Sequence, residues 1–478
     1  MLLTPRGLLA PACVLFCVPV AAQVPVSPFL VRPYIQIGNA PTIAEKESLV
    51  LLWQTEDTDA ANWQVEMRIG GKWTAMDAPR YRRVAIPGAN VYRLYSDVLT
   101  DLNPGASASY RVLKNGAEVF AAAANARKPS GANTRFAVFG DCGENTPGQK
   151  AAAYQVYKEK PDYVFLTGNI VYRQGEMAQY YEKYFPIYNA DRADPAVGAP
   201  LIRSTLFFAA PGNHDTNDFP DLNAFPDALA YFLAWAMPLN GPTSAADARS
   251  IPPIAGDDGK QSAFTDAANG AFPRMANYSF DYGSAHWLAL DANPYTDWTD
   301  KRLRDWVEAD LAAAKNTTWR FVAFHQPPFK SAAPGEKIQE GMRVLTDLFE
   351  KYKVDVVFSG HVHNYQRTRP LHFVAQAGLD GKLSGVEGAV RGQITQDTAY
   401  DGVKHTRPNG VIYIITGGSG SALDDPTLGD RPTVGRDFTV KLYSKGYSYT
   451  AVELHGKTLT ARQVSDTGAE LDRFIITK

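Results

Sequence analysis

Five times between residues 135 and 363, a short apolar run stops at a cluster of polar side chains. Arg135–Phe139 runs into Gly140-Asp141-Cys142-Gly143, and Tyr163–Thr167 into Gly168-Asn169-Ile170-Val171-Tyr172. Thr205–Ala210 is followed by Pro211-Gly212-Asn213-His214-Asp215. Arg320–Phe324 leads to His325-Gln326-Pro327-Pro328, and Val354–Phe358 to Gly360-His361-Val362-His363. Short runs with no polar alternation suit strands buried on both faces. Helical stretches fall between several of them, at Pro147–Lys158, Lys301–Lys315 and Met342–Tyr352; Leu303, Trp306, Val307 and Leu311 stand at helical spacing. Strands alternating with helices form an α/β domain, in which ligands bind outside the carboxyl ends of the strands. The pattern therefore predicts one rim on which five loops present their side chains together.

A different texture precedes it. From about Pro25 to Ala126, Ser48–Trp53, Trp63–Ile69 and Tyr110–Leu113 are β-rich runs punctuated by Gly70-Gly71, Asn103-Pro104-Gly105 and Asn115-Gly116. Short strands with regular turns predict an antiparallel sandwich. Leu102–Tyr110 resembles the turn before a late strand in fibronectin type III domains. We divide the chain into a leader at 1–22, a fibronectin type III-like sandwich at 23–127 and an α/β catalytic domain at 134–478, with a small, polar linker between the last two. The leader reads as a signal peptide. Arg6 precedes the apolar run Leu8–Val20, and Val20-Ala21-Ala22 suits cleavage after Ala22. Of three cysteines, Cys13 and Cys17 would leave with it, so Cys142 has no internal partner. The expectation is a secreted or periplasmic protein with no membrane span. Lys plus Arg is 48 against 50 Asp plus Glu, which argues against a nucleic-acid binder. Asn277-Tyr278-Ser279 and Asn316-Thr317-Thr318 match the glycosylation pattern. Two insertions, Pro238–Pro273 and His372–Asn409, are long enough to be lids or passive surface loops.

The rim residues point to metal chemistry. Asp, Asn, Tyr and His offer oxygen and nitrogen donors, which suit Fe, Zn or Mn and exclude a thiolate site. Half of the eight histidines, His214, His325, His361 and His363, fall in these motifs. His286, His372, His405 and His455 have no such context and read as structural.

The order GDxG, G-N-x-x-Y, GNH, a lone strand-end His and GHxH resembles the purple acid phosphatases within the calcineurin-like metallophosphoesterases, over roughly Arg135–Arg369. Tyr172 is the distinguishing mark. Related phosphoesterases place a His two positions after the first Asp, where this chain has Gly143. The resemblance implies an α/β metallophosphoesterase sandwich and a binuclear metal centre, Fe(III) with Fe(II), Zn(II) or Mn(II). Asp141, Asn169, Tyr172 and His363 would hold the first ion, and Asn169, Asn213, His325 and His361 the second. Asn213 and His214 would contact substrate, with His214 catalytic. The implied activity is acid phosphatase-like hydrolysis of small phosphate monoesters by a metal-bound hydroxide. A phosphodiesterase on the same core, or an impaired member that binds phosphorylated ligands, are the alternatives.

Two positions depart from the pattern. The family's shared ligand is Asp, and this chain has Asn169. A carboxylate can give one oxygen to each of two cations, whereas an amide has one donor oxygen and an NH2 that cannot ligate. The site thus lacks one negative charge between two cations. The other departure is Gln326–Lys337, which has no His where many plant members carry a substrate-side pair. Lys330 and Lys337 read as solvated loop charges, and Arg367 as a brace for its loop.

Overall fold

The computed structural model describes residue 1 and residues 27–216, 220–242, 250–332, 340–378, 390–428 and 437–478. The leader, Lys337 and parts of both insertions lie outside these residues.

The N-terminal region is a sandwich of two four-stranded antiparallel sheets. One carries Val31–Gln36, Glu47–Glu56, Tyr92–Leu102 and Arg80–Val84; the other Lys72–Ala75, Trp63–Ile69, Ser107–Lys114 and Ala117–Asn125. Alternation sets its inner face: Trp63, Val65 and Met67 are buried while Gln64 and Glu66 reach outward. Trp53 stacks on Tyr95 at 5.2 Å between ring centroids, with Trp63 against both.

The larger region is a second sandwich, of mixed sheets. In the six-stranded sheet, Thr134–Phe139, Tyr163–Leu166 and Leu206–Ala209 run parallel. Ser448–His455, Thr458–Ser465 and Glu470–Thr477 complete it antiparallel. In the seven-stranded sheet, Ala285–Ala289, Trp319–Ala323, Val356–Ser359 and Ile412–Thr416 run parallel, flanked by antiparallel strands. The apolar runs are buried on both faces because the sheets pack on each other through large aromatics. Phe136, Phe165, Phe321 and Phe358 all contact Trp287, whose indole N–H donates to Tyr163 Oη at 2.9 Å. The parallel strands of both sheets end at one rim, which is where the five motifs lie.

The helices follow local chemistry. Thr146 caps Pro147–Glu159 by accepting from the Gln149 N–H at 3.1 Å, and Asp300 caps Lys301–Ala313, whose Leu303, Val307 and Leu311 are buried. The single helix expected over Met342–Tyr352 is instead a 3-10 turn, Gly341–Leu345, followed by the short helix Thr346–Lys351. Buried Arg343 donates to the Pro328 and Val390 carbonyls and to Glu340, and these tertiary bonds outweigh helical continuation. The described part of the Pro238–Pro273 insertion holds a helix, Asp258–Ala268, whose Phe264 packs on Phe272 and Phe232 beside the Arg80–Val84 strand. The described part of that segment lies against the N-terminal sandwich. Asn277 is 4% exposed and accepts from the Asp291 N–H, so its glycosylation pattern is buried; Asn316 is exposed. Arg367 does brace its loop, by a two-pronged bond to Asp472.

The linker is pinned. Arg127, with 0% of its surface exposed, donates to both oxygens of Glu47 and to the carbonyls of Pro41, Thr42 and Asp281. One side chain thereby ties the sandwich to an edge strand of the seven-stranded sheet.

Candidate metal centre

The rim loops are held in conformations that most residues avoid. Asp141, Asn169 and His361 all have positive φ, at 54°, 49° and 68°. Such backbone costs about 1 kcal/mol or more per residue and persists where surrounding contacts enforce it. Asp215 supplies much of that enforcement. Its buried carboxylate accepts from the backbone N–H groups of Gly212, Ile170 and Val171, locking two loops together. Burial pushes its carboxyl up to about 7, although these N–H bonds oppose the shift. Gly143 explains why no His can stand two positions after Asp141. A Cβ there would lie 2.0 Å from the Ile170 carbonyl oxygen, so the loop carrying Tyr172 already fills that space.

Three predicted donors form a triangle. Asp141 Oδ1 lies 3.0 Å from Tyr172 Oη, Tyr172 Oη lies 3.2 Å from His363 Nε2, and His363 Nε2 lies 3.4 Å from Asp141 Oδ1. An ion about 2.1 Å from each donor requires neighbouring donors about 3.0 Å apart in an octahedron and about 3.4 Å apart in a tetrahedron. The triangle therefore has the edges of one face of a coordination shell. His363 Nδ1 donates to the Ala422 carbonyl at 2.6 Å, which turns Nε2 toward the other two donors.

The second set is looser. His325 Nδ1 donates to the Thr167 carbonyl at 2.8 Å, which leaves Nε2 facing Asn213 Oδ1 at 3.1 Å and Asp141 Oδ1 at 3.7 Å. Burial holds His325 below its ordinary range, so the ring is neutral and Nε2 is a lone pair set against oxygen lone pairs. The His361 ring lies 5.1 Å from that of His325, and burial pushes it down to about 3. Asn213, His325 and His361 are all neutral. Among the described residues no group of three or more His, Cys, Asp or Glu side chains is placed to hold a metal ion. The triangle needs Tyr172, and the second set needs Asn213.

Asn169 stands between the sets, and its orientation is decided. Its Oδ1 accepts from the His214 backbone N–H at 2.9 Å, which aims Nδ2 at Asp141 Oδ1, 3.1 Å away, and Asn213 Oδ1, 3.3 Å away. A shared carboxylate would present an oxygen there; this chain presents an NH2. The residues thus fit one cation and not the bridged pair. The triangle's own protons are placed by Asp141. Burial and Asp141 keep the Tyr172 phenol well above its ordinary range, so it donates to Asp141. Burial opposes charge on His363, but Asp141 outweighs it and lifts the ring to about 9.

His214 sits at the edge of this group, half-exposed. Its ring lies 4.6 Å from that of Tyr172, and Nδ1 donates to the Arg173 carbonyl at 2.8 Å. Lys330 is a correction to the sequence reading: it is 6% exposed rather than solvated, and its charge acts on His361.

Residues 134–365 match the calcineurin-like phosphoesterase family model. The match takes in all five rim motifs and just under half of the chain. Among curated relatives, an uncharacterised Mycobacterium tuberculosis protein is 30% identical over 183 residues, 35% of this chain and 32% of its own. The probable inactive purple acid phosphatase 27 of Arabidopsis thaliana is 24% identical over 369 residues, 72% of this chain and 50% of its own. The chain spans about a third to a half of the length of these relatives. Among solved phosphoesterase structures, the purple acid phosphatase PPD1 of yellow lupin superposes with a TM-score of 0.63 at 18% identity, covering 93% of this chain and 74% of that one. At that identity the likeness establishes the fold.

One rim loop escaped the sequence reading. Gly417–Asp424 follows the strand Ile412–Thr416 and closes the site from below. The Ser421 N–H donates to the Asp141 carbonyl, the Ala422 carbonyl orients His363, and Asp424 accepts from the His363 N–H. Its signal was available: Ile412–Thr416 is a sixth apolar run ending in glycines, Gly417-Gly418, with no His or Asp directly behind them.

Proposed function

We propose that this protein is an exported, metal-dependent phosphoesterase that hydrolyses small phosphate esters, monoesters first. The observation that carries the reading is the Asp141–Tyr172–His363 triangle at the shared rim of a phosphoesterase fold. An ion held there, iron, zinc or manganese by donor type, would supply Lewis-acid polarisation of a phosphoryl oxygen. The chain's own part falls to His214 and Asn213. His214 keeps Nδ1–H on the Arg173 carbonyl, so Nε2 is the atom available to hold a phosphate oxygen or give a proton to the leaving group. Asn213 and His325 would line the opposite side. Within this reading the sandwich up to residue 127 is an accessory domain, 134–478 is catalytic, and a leader ending at Ala22 directs export.

A second reading has one observation in its favour. The NH2 of Asn169 occupies the place of a shared ligand oxygen, which suits an impaired member that binds phosphorylated compounds without turnover. The test is metal content by elemental analysis, run beside p-nitrophenyl phosphate hydrolysis on the same sample. Bound metal with turnover supports the enzyme. Bound metal and phosphate binding without turnover supports the second reading.

A further inference from the structure

We infer that this centre takes a single metal ion, in the Asp141–Tyr172–His363 triangle, and that the Asn169 amide stands in for the second. The inference rests on the metal-dependent reading above and specifies its stoichiometry.

Three observations meet here. First, the two donor sets differ in charge. The triangle keeps the Asp141 carboxylate and the ionisable Tyr172. The set of Asn213, His325 and His361 has no anionic member of its own, and the Asp141 carboxylate, whose Oδ1 lies 3.7 Å from His325 Nε2, already belongs to the triangle. Second, the Asn169 NH2 has two hydrogens and two acceptors at 3.1 and 3.3 Å, one in each set. It lies where a second ion would have to share a ligand, and it gives Asn213 Oδ1 a hydrogen-bond donor in place of a cation. Third, the amide cannot turn over to offer its oxygen instead. Oδ1 is held by the His214 N–H, and rotation would set NH2 against that donor. Asn169 also carries positive φ, which Asn tolerates better than most residues.

The consequence is a centre that is stable with its second half metal-free. Asn169→Asp would put a carboxylate oxygen against Asp141 and Asn213 oxygens with no proton between them. That change should destabilise the metal-free protein and favour uptake of a second ion.

The experiment uses the full-length protein stripped with chelator, titrated with Zn(II) by calorimetry and checked by elemental analysis and thermal unfolding. Wild type should saturate at one equivalent. Asn169→Asp should take two, binding the second ion at least about 100-fold more tightly than wild type does. Its metal-free melting temperature should fall below that of wild type, and its rise on adding zinc should be the larger of the two. Asn169→Ala, which removes the amide without adding charge, should still bind one. Asp141→Asn should abolish the single ion, whereas His361→Ala should leave the stoichiometry at one. Two ions of similar affinity in wild type would overturn the inference and leave the phosphoesterase reading standing. Loss of the ion in His361→Ala with retention in Asp141→Asn would place it in the wrong half. No zinc bound by either wild type or Asn169→Asp would bring down the metal-dependent reading, and this inference with it.

Discussion

Two polar clusters in this molecule differ in how completely they are satisfied. At the junction, the Arg127 guanidinium spends its donors on Glu47 and three carbonyls, and nothing is left over. At the rim the match is incomplete: His325 Nε2 faces the oxygens of Asn213 and Asp141 with a lone pair, and in the triangle the protons of Tyr172 and His363 stand where a cation would. Asp141, Asn169, Tyr172 and His325 are as buried as Arg127 and Glu47, so burial alone does not separate the clusters. The remainder does. A closed set of partners is a fastener, and a set with unmatched lone pairs is a place for a cation. His286 belongs with the fasteners, since its two ring nitrogens lie 2.8 and 2.9 Å from Asp281 and Asp310, joining the edge hairpin to the helix Lys301–Ala313.

The comparison breaks most visibly at the junction. Arg127→Met should cost about 3–5 kcal/mol of stability, because it strands the buried Glu47 carboxylate. Arg127→Met with Glu47→Leu should recover most of that loss. Urea unfolding reads both, and metal stoichiometry should stay at its wild-type value in the double variant. A parallel fall in metal binding would mean that the two clusters are not independent.

His286 gives the next effect. Burial opposes its charge, but the bonds to Asp281 and Asp310 prevail and raise it to about 9. A raised histidine contributes stability that is fully present below its unfolded value near 6.5 and is lost as pH rises through 9. That contribution should be on the order of 3 kcal/mol at pH 6. Stability measured from pH 6.5 to 9 should therefore slope downward in wild type and much less in His286→Gln. Equal slopes would remove His286 from the fasteners.

At the rim the effects move from stability to chemistry. His214→Ala should lower ester turnover about 100-fold, roughly 2.7 kcal/mol, with metal content unchanged. If metal content falls in step with turnover, His214 is holding the site together rather than acting on substrate. Tyr172→Phe should cost only about 1 kcal/mol of fold stability, from the bond to Asp141. Its decisive readout is colour: the iron-loaded wild type should show a visible phenolate-to-iron band that the variant lacks. A colourless iron-loaded wild type would take Tyr172 out of the donor triangle.

The α/β sandwich and the residues of its rim were legible in the chain because their signals are local. An apolar run longer than a turn and ending at Gly140, Gly168 or Gly360 must be a buried strand with a sharp exit, and parallel strands in packed sheets exit on one side. The antiparallel N-terminal sandwich was legible for the same reason, through the alternation of Trp63, Val65 and Met67. Other features depend on partners distant in sequence. Nothing near Arg127 announces Glu47, 80 residues away, and nothing near His363 announces the Ala422 carbonyl, 59 residues away. The sequence also identified Asn169 as the odd ligand, from chemistry alone. Which way its amide points was decided by the fold, because its oxygen is claimed by the backbone N–H of His214, 45 residues further on, and its nitrogen by the Asp141 carboxylate, 28 residues before it.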